Sequence, residues 1–202
     1  MTLHVGIHVY DEVEVLDFAG PYEVFSTASR VHARARPSDA PPFVPLLVAE
    51  SARPVRARAG LTVVPHHAFD AHPPLDVLVV PGGVHERELA RPATLAWIAR
   101  QHAGTRVTAS VCTGAFLLAA AGVLPAGLEV TTHWEDQADL ARAFPALRVR
   151  GGVRWVEHER LVTSAGISAG LDMSLRLVAR LASQELAERT ARQMDYAWYE
   201  RG

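Results

Sequence analysis

The chain has 202 residues, 49% of them hydrophobic, and a formal net charge of −2. This length suits one domain with a sizeable core, and the near-neutral balance gives no broad basic field for nucleic acid. A lone cysteine, Cys112, excludes an intrachain disulfide and a multi-cysteine zinc site, and it fits a reducing, cytoplasmic setting; all 20 cationic residues are arginine, which removes lysine Schiff bases and the lysine-bearing phosphate loop.

Along the chain, MTLHVGIHVY has no charged leader and no long apolar core, so no signal peptide is expected. Residues 3–10 alternate and read as a first strand. DEVEVLDFAGPYEVFSTASRV starts as a loop and becomes a helix near Gly20 and Pro21, because proline suits a first helical turn. The polar, proline-rich ARARPSDAPP is a surface loop, and FVPLLVAE is a second strand. RPVRARAGLTVVPHHAF reads as paired short strands turning at Ala59–Gly60. LDVLVVPGG is a continuous apolar run ending in two glycines, the pattern of a buried parallel strand feeding a loop. ATLAWIARQHA is an amphipathic helix. RVTASV is a strand, and AFLLAAAGVL is a helix stopped by Gly122 and Pro125. LEVTTHW is a short strand ending at His133, and EDQADLARAF is helical. VRGGVRWVEHERLVTSAG gives two strands, with turns at Gly151–Gly152 and near His158–Glu159. The rest, from ISAG to DYAW, is one long helix or two. The longest apolar stretch, AFLLAAAGVLPAGL, is too short and interrupted to span a bilayer, so no membrane role is expected.

Strands alternating with helices imply an α/β sandwich around a mostly parallel sheet, as a single domain over 1–202. Sites in such sheets form at the carboxyl ends of strands. LDFAGP, VVPGG, SVCTG and TTHW all fall at such ends. CTG lies at a strand-to-helix junction, where helix N–H groups favour a thiolate and Gly114 keeps the turn small. That is the logic of a nucleophile elbow. A lone cysteine is equally read as inert core packing.

Five segments together resemble the DJ-1/PfpI superfamily: DFAGPYEVF at 17–25, VLVVPGG at 77–83, ASVCTGAFLLAAAGVLPAG at 109–127, TTHW at 131–134 and TSAGISAGLDMSLRLVARL at 163–181. The resemblance covers nearly the whole chain and implies a flavodoxin-like three-layer sandwich with helices on both faces. Within the superfamily, the isonitrile hydratase group and the amino-terminal domain of AraC-type regulators share D-F-x-G-P and C-T-G-A-F with this chain. The regulators carry a further helix-turn-helix segment, for which these 202 residues leave no room. A stand-alone enzyme is therefore the expectation.

The resemblance implies that Cys112 attacks an isonitrile carbon to give a thioimidate, which water hydrolyses to a formamide. Asp17 becomes the candidate acid, its carboxyl raised by Leu16 and Phe18 beside it; its structural alternative is a helix cap. Gly82 and Gly83 are expected to offer backbone N–H groups, and Thr113 N–H to complete an anion nook. Thr113 replaces the histidine that protease and glyoxalase-like members carry after the cysteine. His133 matches a histidine of the glyoxalase-like members and is either a general base or a hydrogen-bonded strand-end residue. Trp134 either walls a substrate pocket or fills core. His66, His67, Asp70 and His72 lack metal-ligand spacing, and no metal or other cofactor is expected. HERE at 85–88 reads as a solvated helix start, with Glu86 near the site mouth. The expected partners are a small-molecule substrate and, by resemblance, a second copy in a homodimer. The alternatives are a ligand- or redox-sensing module and a glyoxalase-like hydratase.

Overall fold

The computed structural model describes residues 1–200. In chain order the elements are β1 (Leu3–His8), α1 (Val15–Ala35), β2 (Phe43–Ala49), β3 (Val55–Arg56), β4 (Thr62–Val63), β5 (His67–Ala68), β6 (Val77–Val80), α2 (Glu86–Leu89) and α3 (Pro92–Gly104). Then come β7 (Val107–Val111), α4 (Gly114–Ala120), β8 (Glu129–Val130), α5 (Gln137–Ala143), β9 (Arg148–Val149), β10 (Trp155–Glu157), β11 (Leu161–Ser164), α6 (Ala169–Leu181) and α7 (Gln184–Gln193).

The central sheet runs β10-β11-β7-β6-β1-β2-β5. All its pairings are parallel except β10 with β11. Its middle strands are apolar because both faces are covered. Every residue of β6 and β7 is buried, and each aliphatic side chain so enclosed contributes about 1.5–3 kcal/mol. Helices α1, α6 and α7 pack together, and α3 packs with α2 and α4. From β1 the chain crosses to β2 on one side, while β6 pairs on the other. The switch between β1 and β6 opens a crevice at their carboxyl ends, where α/β sheets place ligands.

Two expectations change. Helix α1 begins at Val15, not near Gly20, and Glu14 caps it by accepting from Val15 N–H. Asp17 is therefore a first-turn helical residue and not the cap, and Pro21 lies inside the helix. Proline has no N–H, so the helical bond from residue 21 to the Asp17 carbonyl is missing. Second, LEVTTHW yields only the two-residue β8, which pairs with β9 outside the central sheet. The carboxy-terminal segment, read as one long helix or two, is two, broken between Leu181 and Gln184, where Ser183 caps α7. Beyond α7, the Tyr199 N–H donates to buried Asp172 at 3.0 Å, and the Arg154 guanidinium closes on the same carboxylate. No helix among the described residues is long and apolar enough to cross a membrane.

Candidate active site

Cys112 follows β7 directly, with φ at +55°. A side chain in that left-handed region costs about 1–3 kcal/mol. Its N–H is held by the carbonyls of Ser164 (3.2 Å) and Ala165 (3.3 Å), and its own carbonyl accepts from Thr132 Oγ1 at 2.8 Å. The turn needs glycine next door: a Cβ on Gly114 would lie 2.0 Å from the Val80 carbonyl oxygen. A Cβ on Gly82 would lie 2.5 Å from Thr113 N. The elbow is thus pressed against the end of β6.

Asp17 is fully buried. Its Oδ2 accepts from Gly82 N–H at 3.0 Å. Its Oδ1 has no hydrogen-bond partner, and the Cys112 thiol adjoins the carboxylate, near enough for each group to shift the other's titration. Burial pushes the Asp17 carboxyl up to about 7, reinforced by the Glu14 charge and opposed by the Gly82 hydrogen bond. Burial also pushes the Cys112 thiol up, the Asp17 charge adds to this, and the Thr113 N–H works against it. The expected thiolate is therefore not the resting form. Helix α4 has only seven residues, and its amino end does not outweigh desolvation.

The two glycines do not form an open anion nook. Gly82 N–H is taken by Asp17, and Gly83 N–H by Thr113 Oγ1 at 3.0 Å. Thr113 Oγ1 donates in turn to the Gly83 carbonyl at 3.1 Å. Thr113 N–H lies near enough to the Cys112 sulfur to favour its ionised form. The threonine hydroxyl clamps the glycine loop to the elbow.

His133 opens the short turn Trp134–Asp136 and shares a cavity of about 400 Å3 with Cys112 and Thr113. Its Nδ1 lies 3.4 Å from Asp136 and 3.7 Å from Glu135. Gly166 makes room for it, since a Cβ there would lie 1.9 Å from His133 Cδ2. Trp134 is 72% exposed and is not among the residues lining the cavity, so it neither fills core nor walls the pocket. Glu86 does reach the cavity. The lining also includes Glu14, Arg58, His85 and Ile167, which sequence reading missed. Arg58 comes from the turn between β3 and β4 and pairs with Glu14 at 3.1 Å. Nothing in local spacing links residues 14 and 58. His85, in the segment read as solvated, is buried against Phe116 with ring centroids 4.6 Å apart.

His66 and His67 do not share a partner: His66 Nδ1 accepts from Leu47 N–H, and His67 Nδ1 faces the Ala71 carbonyl. Among the described residues no cluster has the make-up of a metal site. A larger cavity, about 530 Å3, opens beyond β1 and β2 over the buried His8–Glu88 pair. Its lining holds no cysteine, and the smaller cavity over Cys112 is the candidate site.

The sequence matches the DJ-1/PfpI family model over residues 4–180. It is 35% identical over 198 residues to an isonitrile hydratase of Pseudomonas putida, covering 98% of this chain and 80% of that enzyme. It is 27% identical over 179 residues to the HTH-type transcriptional regulator CdhR of Pseudomonas aeruginosa, covering 89% of this chain but only 51% of the regulator. The fold is similar to the crystal structure of a ThiJ/PfpI family protein from Pseudomonas syringae, with a TM-score of 0.84 and 32% identity over 97% of this chain and 76% of that one.

Proposed function

This chain belongs to the DJ-1/PfpI family, and from that premise we propose that it is a cysteine-dependent hydratase converting a small isonitrile to the N-substituted formamide. The observation that carries the reading is the carboxylate of Asp17 facing the chain's one thiol. An isonitrile reacts twice at one atom, because its terminal carbon takes both the nucleophile and the proton. The nucleophile and the acid must therefore reach the same point.

Asp17 as carboxylate takes the thiol proton, sulfur bonds to the terminal carbon, and Asp17 returns the proton to that carbon. The product is a thioimidate, with the thiol's S–H added across one carbon. Asp17, again a carboxylate, takes a proton from water as the water oxygen attacks the same carbon. That proton passes to the substrate nitrogen, the carbon–sulfur bond breaks as the carbonyl forms, and the leaving sulfur takes the remaining hydroxyl proton. Isonitrile and water enter, and formamide leaves. His133, held by Asp136, positions that water.

The regulator relatives support a second reading, a ligand-sensing module without turnover. Oxidation sensing is disfavoured, because a buried thiol pushed away from the thiolate form is a poor target for oxidants. A glyoxalase-like activity is disfavoured by Thr113 after the cysteine.

Purified protein incubated with cyclohexyl isocyanide should release N-cyclohexylformamide, and Cys112→Ala and Asp17→Asn should not. Equal formamide from Cys112→Ala would sink the mechanism. Binding without product in the wild type would favour the sensor.

A further inference from the structure

The walls around Cys112 carry several charged side chains, although the site is assigned to a small apolar molecule. Four carboxylates line the cavity: Glu14, Glu86, Glu135 and Asp136. The only arginine there is Arg58, and it is committed to Glu14 at 3.1 Å. With neutral histidines, four carboxylates against one guanidinium leave three negative charges. Protonating both lining histidines, His85 and His133, still leaves one. His133 sits against both Asp136 and Glu135 and so offsets one of two. Behind the thiol, Asp17 adds to that charge whenever its carboxyl, which sits at about 7, is ionised. Outside the lining, the Trp134 ring is exposed, 5.8 Å from the His133 ring between centroids. An exposed indole face attracts cations.

We propose that this cavity selects electrophiles carrying an organic cation, an ammonium or quaternary ammonium group, beside the carbon that reacts with Cys112. The inference rests on the reading that substrate reacts at Cys112, and it names the class of that substrate. A recessed site walled by one sign of charge concentrates the opposite charge. A neutral substrate gains no charge attraction from Glu86 and Glu135. An anion must overcome them, because Arg58 is released only by displacing Glu14. The same field helps to keep the thiol protonated, since Asp136 and Asp17 both push it up.

The single cysteine makes the field measurable without turnover. Cys112 modification would be timed with three methanethiosulfonates: the trimethylammonioethyl, the sulfonatoethyl and the uncharged methyl reagent. Each rate is divided by that for free 2-mercaptoethanol. The cationic reagent should then exceed the anionic one by about tenfold or more. The ratio should fall as salt is added. It should approach one in the double variant Glu86→Gln/Glu135→Gln, whose positions are exposed. Equal corrected rates, or a preference for the anionic reagent, would overturn the proposal.

Should the thiol be out of reach of all three reagents, the melting temperature decides. Tetramethylammonium chloride should raise it above equal sodium chloride and above tert-butyl alcohol, and the double variant should lose that rise. Identical melting temperatures would also overturn the proposal. Neither measurement uses hydratase activity, so failure of the hydratase reading and failure of cation selection are read separately.

Discussion

Replacing Asp17 by asparagine should stabilise the fold while removing its chemistry. The wild-type carboxyl is fully buried and sits at about 7, against 3.8 for an ordinary aspartate. Below 3.8 the folded and unfolded chains both hold the proton, and the group costs nothing. Between 3.8 and about 7 the folded state binds more protons than the unfolded state, so stability falls as pH rises. Above that window the full penalty applies, about 4 kcal/mol at about 1.4 kcal/mol per pH unit. Asparagine keeps an acceptor for Gly82 N–H and carries no charge. Its amide then faces the thiol, an imperfect partner that costs about 1–2 kcal/mol at every pH. Urea unfolding followed by tryptophan fluorescence gives the stability difference at several pH values. The difference should climb in favour of the variant by about 4 kcal/mol from about pH 4 to pH 8. The Cys112 thiol does not intrude, because its elevation acts only above its ordinary value of 9.0. A difference that stays flat with pH would refute the reasoning and show that Asp17 is not held neutral by burial.

The remaining predictions concern the same pocket. Because Asp17 must be a carboxylate to take the thiol proton, kcat/KM for isonitrile hydration should rise with pH through about 7. An acid limb near 4 instead would contradict this. Thr113→Val should cost about 1–3 kcal/mol in urea unfolding, since it strands the N–H and carbonyl of Gly83, and Thr113→Ser should recover most of that loss. Gly166→Ala should leave the far-ultraviolet spectrum intact and slow hydrolysis of the thioimidate, which mass spectrometry would detect on Cys112. Its new methyl group displaces His133. Wild-type rates in that variant would remove His133 from the mechanism.

The parts of the fold that were legible in sequence are those governed by local pattern. The apolar runs of β6 and β7, the break at Gly122 and the elbow at Cys112 all follow from residues adjacent in the chain. The start of α1 was not legible, because Pro21 suggests a first turn and the cap is a glutamate bonding the next residue's N–H. TTHW looked like the end of a core strand, yet its β8 pairs only with β9, a contact that periodicity does not encode. The site divides in the same way. Positions 17, 82, 112, 113 and 133 do converge. What their atoms do could not be read, because each donor chooses its partner in three dimensions. Gly82 N–H goes to a side chain 65 residues away, and Gly83 N–H to one 30 away. The same limit hid Arg58 and Glu14, which meet only after the short β3–β4 hairpin folds back.

The commitment of the Gly82 and Gly83 N–H groups to internal partners bears on inhibitor choice. Aldehydes and boronic acids disable many cysteine and serine hydrolases by placing a negative oxygen among free N–H donors. Here those donors are engaged, so such compounds would gain little beyond the sulfur bond. A nitrile adduct needs no such donors, since its carbon takes the sulfur and its nitrogen takes a proton, which Asp17 is placed to supply. Alkyl nitriles, isomers of the proposed substrates with carbon and nitrogen exchanged, are therefore the covalent probes that this arrangement favours.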